Sequence, residues 1–309
     1  MSYKTNQDNK VEYLIQNTDI FQGDAGNGYF MKAFRPFILE NANHNIYPPI
    51  FTKVQAYFKE NHIGWWGGKL TNHPLSSQIA CINHLFSIRK DKQAVLAILK
   101  QFEPEIEDVL VISTDDYEPA YIQFEAVSDT DHLNEMASIR GSNCTSIDAL
   151  IFAVHANGQK ILFPIEWKYV EQYRNRNMGT GEKGNTRRSR YTQLIEHSNQ
   201  LLAHQTEVYY FEPFYQLMRQ TLWAEQMLLY ARTETLKADD YRHIHVIPKE
   251  NSELLDFKYK ISGLDMEKTW RSCLANQNKY HVISPKQLMQ PIDETKYEHL
   301  LSYLSERYW

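Results

Sequence analysis

Two apolar, β-branched stretches stand nearly back to back in this chain, and each carries charge where a buried strand should be dry. They are Ser146-Ile-Asp-Ala-Leu-Ile-Phe-Ala-Val154 and Lys160-Ile-Leu-Phe-Pro-Ile-Glu-Trp-Lys-Tyr169, separated by His155 and Ala156-Asn157-Gly158 and a single Gln. Their composition and the turn between them predict two strands of a hairpin. Asp148 opens the first strand, and Glu166 and Lys168 close the second. Burying an isolated charge costs several kcal/mol, so core filling does not explain these residues. Glu166 and Lys168 are two apart and share a face. Two carboxylates and an ammonium at one sheet edge make a site for a hard cation, with a charge to position water.

Whether Asp148 joins that face depends on the hairpin register. A two-residue Asn157-Gly158 loop sets Asp148 opposite Trp167, on the wrong face. A three-residue Ala156-Asn157-Gly158 loop sets it opposite Glu166. Three-residue loops commonly end in a left-handed residue, and Gly158 suits that place. The proposed chemistry therefore requires the odd loop.

The rest of the chain frames the hairpin. Helical spacing predicts helices from Pro48 to Glu60, in Leu75–Ile88 behind Pro74, and in Lys92–Phe102. Tyr121–Val127 alternates as a strand. Helical patterns follow the hairpin to Leu202 and again from Phe214 to Leu236. Arg242–Ile247 and Tyr280–Ile283 read as strands. Ser284-Pro285 caps a short helix, and Glu294–Tyr308 makes a terminal one. The order is helix, three strands, helices, strand, which is α+β with a mainly antiparallel meander. Without a long Pro/Gly/Ser linker, the 309 residues read as one domain: a helical N-terminal extension over 1–73, a core over about 74–248, and C-terminal helices over 249–309.

Three scattered cysteines, Cys81, Cys144 and Cys273, provide neither a disulfide framework nor a CxxC zinc site. The polar start lacks a signal-peptide pattern, and no apolar run approaches a membrane span. A cytoplasmic protein without membrane contact is the expectation. The net charge of −5 argues against wholesale polyanion coating but not against a local basic surface.

Asp148, then Glu166-Trp167-Lys168 one hairpin later, resembles the motif of the PD-(D/E)XK nuclease superfamily. The element order from about Pro74 to Pro248 resembles that superfamily's core. The wording Arg140-Gly-Ser-Asn-Cys-Thr-Ser-Ile-Asp148 and Ile165-Glu-Trp-Lys-Tyr169 is similar to restriction-endonuclease-like proteins of bacteria. Position 147 is Ile, where the motif's name has Pro. The resemblance implies a Mg²⁺-dependent DNA endonuclease of restriction or defence type, with Mn²⁺ as a substitute metal. Asp148, Glu166 and Lys168 would be catalytic; Asp148, Glu166 and the Trp167 backbone carbonyl would hold the metal. Many members add a Glu from the first helix. Here that helix offers Gln78 instead, and Glu125 is the substitute candidate.

Between Lys168 and Arg190, seven basic residues face Glu171 and Glu182. With Gly179, Gly181 and Gly184 among them, the stretch from Arg174 to Arg190 reads as a mobile loop that could close on a phosphodiester backbone. Arg140, Arg187, Arg188, Arg190, Tyr191 and Gln193 are the nucleic-acid-binding candidates, the last two placed at the start of the following helix. His243 and His245 share a strand face without a third ligand and read as packing. Cys144 with His155 lacks the setting of a thiol nucleophile. Trp65-Trp66-Gly67-Gly68 reads as a core anchor before a base-stacking platform. A homodimer is expected only by analogy with enzymes that cut both strands. Two alternatives stand beside the nuclease: a module that binds nucleic acid or protein without cutting, and a metal-dependent hydrolase of another phosphodiester.

Overall fold

The computed structural model describes residues 1–309 except 66, 116 and 137–143. Arg140 and Trp66 therefore lie outside the described residues. The N-terminal part holds helix α1 (Tyr3–Asn17), strands β1 (Gly28–Phe30) and β2 (Ala33–Arg35), and helix α2 (Phe51–Glu60). Helices α3 (Ser77–Leu85) and α4 (Lys92–Leu99) follow, each with a side-chain cap from Ser76 or Asp91. Next come β3 (Ile106–Val109), a small pair β4 (Ser113–Asp115) and β5 (Glu118–Ala120), then β6 (Ile122–Ala126), β7 (Ile147–His155) and β8 (Lys160–Trp167). Helices α5 (Gly181–Glu196) and α6 (Phe214–Leu229) lead to β9 (Asp240–Tyr241) and β10 (His243–Val246). Helices α7 (Ser252–Leu255) and α8 (Met266–Ser272), β11 (Tyr280–Ile283), α9 (Pro285–Met289) and α10 (Glu298–Arg307) complete the chain.

The main sheet is mixed. Strands β6, β7 and β8 form the expected antiparallel meander, and β3 shares the outer edge of β7 with β6. On the other side β8 pairs in parallel with β10, and β10 with β11. The sheet thus extends to Tyr280–Ile283. The N-terminal region is not wholly helical: β1 and β2 form a hairpin there. Sequence alternation did not mark these short strands.

Alternating side chains divide the sheet between two cores. Ala149, Ile151, Ile161, Phe163, Ile165 and Trp167 pack with α2, α3, α4 and α10. Leu150, Phe152 and Leu162 pack with α5 and α6. The register pairs Ala149 with Ile165 and Leu150 with Pro164. That is the odd-loop register, closed by Gly158 at φ 86° with its N–H donating to the His155 carbonyl oxygen at 2.7 Å.

The basic stretch differs from its expected loop. Residues from Gly181 onward are helical. Gly179 and Gly184 serve close packing: a Cβ on Gly184 would stand 2.2 Å from the Gly179 carbonyl carbon, whereas Gly181 supplies a left-handed backbone at φ 67°. Arg187 donates to the Met178 carbonyl at 2.7 Å, and Arg188 to the Gly179 carbonyl at 3.1 Å. Arg188 also pairs with Glu207. Arg187 and Arg188 thus tie the helix to its own approach. Because backbone must shift to admit a methyl group, Gly184→Ala should cost about 1–3 kcal/mol, read as a lower urea midpoint.

His84 in α3 is fully buried, and its Nδ1 lies 2.7 Å from the Ala80 carbonyl oxygen. Burial, helped by Arg307 and opposed by that hydrogen bond, pulls its pKa down to about 3. As pH falls below about 6.5, the unfolded chain protonates this residue and the folded one does not. Stability is therefore intact above that pH and is lost between pH 6.5 and about 3. At pH 4 the loss from this residue should reach about 3 kcal/mol. Urea midpoints at pH 7 and pH 4 check this, and His84→Gln should flatten the difference.

Candidate metal centre

The end of β8 and the start of β7 meet under α6. Asp148 and Glu166 are the facing pair that the register dictates, and Lys168 follows on the same side. Glu166 and Lys168 are each about 5% exposed and form an ion pair with one another. The second Glu166 oxygen accepts from Gln220, and the Lys168 ammonium also donates to Gln216. One Asp148 oxygen accepts the Trp167 N–H at 2.7 Å. These bonds fix all three groups at the wall of a cavity of about 770 Å³.

Glu125 reaches the same cavity from β6. Its backbone is left-handed, φ 47°, and it drops out of the β6–β7 pairing between Phe124 and Ala126. Such a conformation is strained for a non-glycine residue. Here it accompanies a buried carboxylate held by Gln78 at 2.7 Å and Ser146 at 2.9 Å. Gln78, the residue standing where a helix Glu was expected, is thus a direct partner of the substitute candidate.

Burial pushes the Asp148 carboxyl well above the usual carboxylate range, and the charges of Glu166 and Glu125 push the same way. Burial raises Glu125 as well. Burial alone would lower Lys168, but Glu166 and the neighbouring Tyr173, Glu171 and Asp148 hold it well above its ordinary value. Carboxyls crowded in dry surroundings take up either a proton or a cation. The oxygen donors fit a hard ion that keeps several waters and needs only one or two carboxylates. Among the described residues no group of three or more His, Cys, Asp or Glu side chains is placed to hold a metal ion, so at most two carboxylates would serve one here.

Residues 9–309 match the family model described as Restriction Endonuclease associating with ARP. The chain belongs to that family. No curated protein and no solved structure matches it.

In this member of the restriction-endonuclease family, the basic candidates separate from the carboxylates. Arg187, Arg188, Arg190, Tyr191 and Gln193 lie within α5, and none lines the cavity. Tyr191 is buried, its hydroxyl bonded to Glu135 at 2.5 Å. Two other arginines do reach the cavity. Arg219 lines the cavity and pairs with Glu135 at 3.0 Å, and Arg176 and Tyr173 line it too. Gln216, Arg219 and Gln220 share one side of α6, three and four residues apart. That polar stripe in the apolar run Phe214–Leu229 was the signal available in the sequence. His243 and His245 are buried, as packing predicts. Trp65 stacks on Phe58 with ring centroids 3.9 Å apart, the core-anchor role. Among the described residues no helix is long and apolar enough to cross a membrane.

Proposed function

We propose that the chain is a Mg²⁺-dependent endonuclease that hydrolyses DNA phosphodiester bonds, with Mn²⁺ able to substitute. The observation that carries this reading is the facing of Asp148 and Glu166 across the hairpin, with Lys168 paired to Glu166, in an open cavity. Membership of a restriction-endonuclease family supports DNA as the substrate. Asp148 and Glu166, with the Trp167 carbonyl, would hold the cation, and Glu125 would add negative charge behind them. The bound metal would supply a more acidic water and offset charge on a phosphate oxygen.

The remaining work falls to the chain. Lys168, fixed by Glu166 and Gln216, is placed to orient the attacking water and to offset negative charge growing on the phosphate. Arg219 and Arg176 give the cavity wall the positive charge that a phosphodiester needs. Gln216 and Gln220 hold the acid and ammonium in place. The superfamily resemblance and a cytoplasmic location belong to this same reading.

Supercoiled plasmid with Mg²⁺ or Mn²⁺ is the test. Nicking or linearisation that EDTA abolishes and Asp148→Ala removes is the expected result. Binding without cutting under both metals would favour the non-catalytic module instead.

A further inference from the structure

The hairpin of β1 and β2 stands at the mouth of the metal-site cavity. Phe30 and Met31 line that cavity. Tyr29, Met31 and Phe34 are 57%, 68% and 68% exposed. Tyr29 and Phe34 face each other across the two strands, edge to face, with ring centroids 5.0 Å apart, so one side of the hairpin presents two aromatic rings to solvent. Burial of such residues is the norm, and their grouped exposure beside a candidate active site marks a contact surface.

Its base is fixed. The Gly28 N–H donates to the Ile38 carbonyl at 2.8 Å, and a Cβ on Gly28 would stand 1.9 Å from the Leu39 carbonyl oxygen. Asn72 donates to the Tyr29 carbonyl, and the Phe30 ring lies edge-on to His73 at 4.8 Å. The tip is strained: Met31 and Lys32 both have left-handed backbones, φ 46° and 66°. From Gly26 to Leu39, between Asp24 and Glu40, the chain carries Lys32 and Arg35 and no acidic residue, in a protein of net charge −5. Aromatic faces combined with cations and free of anions suit a nucleic-acid strand with accessible bases.

We propose that the β1–β2 hairpin is a wedge that stacks on unpaired or distorted bases of DNA beside the bond cut in the cavity. This rests on the nuclease reading for the cavity and adds a substrate class: DNA with locally unstacked bases. Lys32 and Arg35 hold the backbone, while Tyr29, Phe34 and Met31 meet the bases.

The test uses the full chain in EDTA with two fluorescent oligonucleotides, a perfect duplex and the same duplex with a short single-stranded gap. The unmodified protein should bind the gapped DNA at least tenfold more tightly, since each stacked base is worth about that factor or more. Tyr29→Ala/Phe34→Ala should lose the preference, and Lys32→Glu should weaken binding to both. All three positions are exposed, and circular dichroism confirms folding. Variants that keep the full preference overturn the wedge, as does an unmodified protein with no preference. A plasmid-nicking arm with Mg²⁺ separates the two readings. Cutting by a protein whose preference ignores the hairpin removes the wedge and leaves the nuclease. A hairpin-dependent preference without any cutting supports the wedge and removes the nuclease.

Discussion

Lys168→Ala is expected to lower DNA cleavage by at least two orders of magnitude, the scale of losing a positioned electrostatic or proton-transfer group. The same change should lower stability in metal-free solution. Lys168 is buried and pairs with Glu166; removing it leaves a buried carboxylate facing Asp148 without its counter-charge. Breaking a buried pair from one side costs about 3–5 kcal/mol. A divalent cation replaces the lost charge, so Mn²⁺ should raise the melting temperature of Lys168→Ala more than that of the unmodified protein. Asp148→Ala should behave in the opposite way. It removes a ligand and one member of a repelling set, so the metal-induced shift shrinks and cutting stops. Thermal melts with and without Mn²⁺, run beside a nicking assay, read all of this. Cleavage at the normal rate by Lys168→Ala would remove that residue from the mechanism.

The part of this site that could be read from the sequence is the part set by local backbone arithmetic. Loop length fixes hairpin register, and register fixes which side chains share a face. Gly158 at φ 86° is where the odd loop needs it, and the pairing of Ala149 with Ile165 follows. Caps were equally legible: Ser284 and Gln287 form the capping box that begins α9. The misread segment is α5. Glycines and like charges between residues 174 and 190 look like a disordered loop when charge is imagined facing water. In the fold, Gly184 admits the backbone of Gly179, and Arg187 and Arg188 cap carbonyls of the approaching chain. Those partners are tertiary and leave no periodic trace. Glu125 stands out in the sequence as a carboxylate on the neighbouring strand, but its left-handed backbone does not, because nothing in Phe124-Glu125-Ala126 demands it. Arg219 and the two glutamines of α6 escaped notice for a different reason. Their helix is recognised by its apolar face, and the polar stripe opposite it passes for ordinary solvent exposure.

Arg307→Met is expected to be strongly destabilising although it lies away from the candidate metal centre. Arg307 is only 2% exposed, and no carboxylate among the described residues pairs with it. Its guanidinium is satisfied by neutral oxygens: the Asn45 carbonyl at 2.8 Å, the Asn45 side chain at 2.5 Å, the Tyr303 hydroxyl at 2.5 Å and the Pro74 carbonyl at 3.4 Å. The Phe21 and Tyr308 rings lie 4.9 Å away and supply cation–π attraction. Asn83 extends the network, donating to the Asn45 carbonyl and to the Tyr308 hydroxyl. Three distant pieces of chain therefore meet at one cation: the segment before α2, the entry to α3, and α10. Methionine matches the length of the stem but offers no donor, which strands several buried acceptors at about 1–3 kcal/mol each. Partial relaxation keeps the total near 3–5 kcal/mol. For a chain of this size each kcal/mol moves the melting temperature by about 2–4 °C, so a drop of roughly 6–20 °C should be seen. Lys at this position keeps the charge but not the planar fork, and Arg307→Lys should recover only part of the loss. If Arg307→Met melts within a degree or two of the unmodified protein, the polar network is not what joins the C-terminal helix to the N-terminal region, and the apolar contacts of Leu300 and Leu304 carry that junction alone.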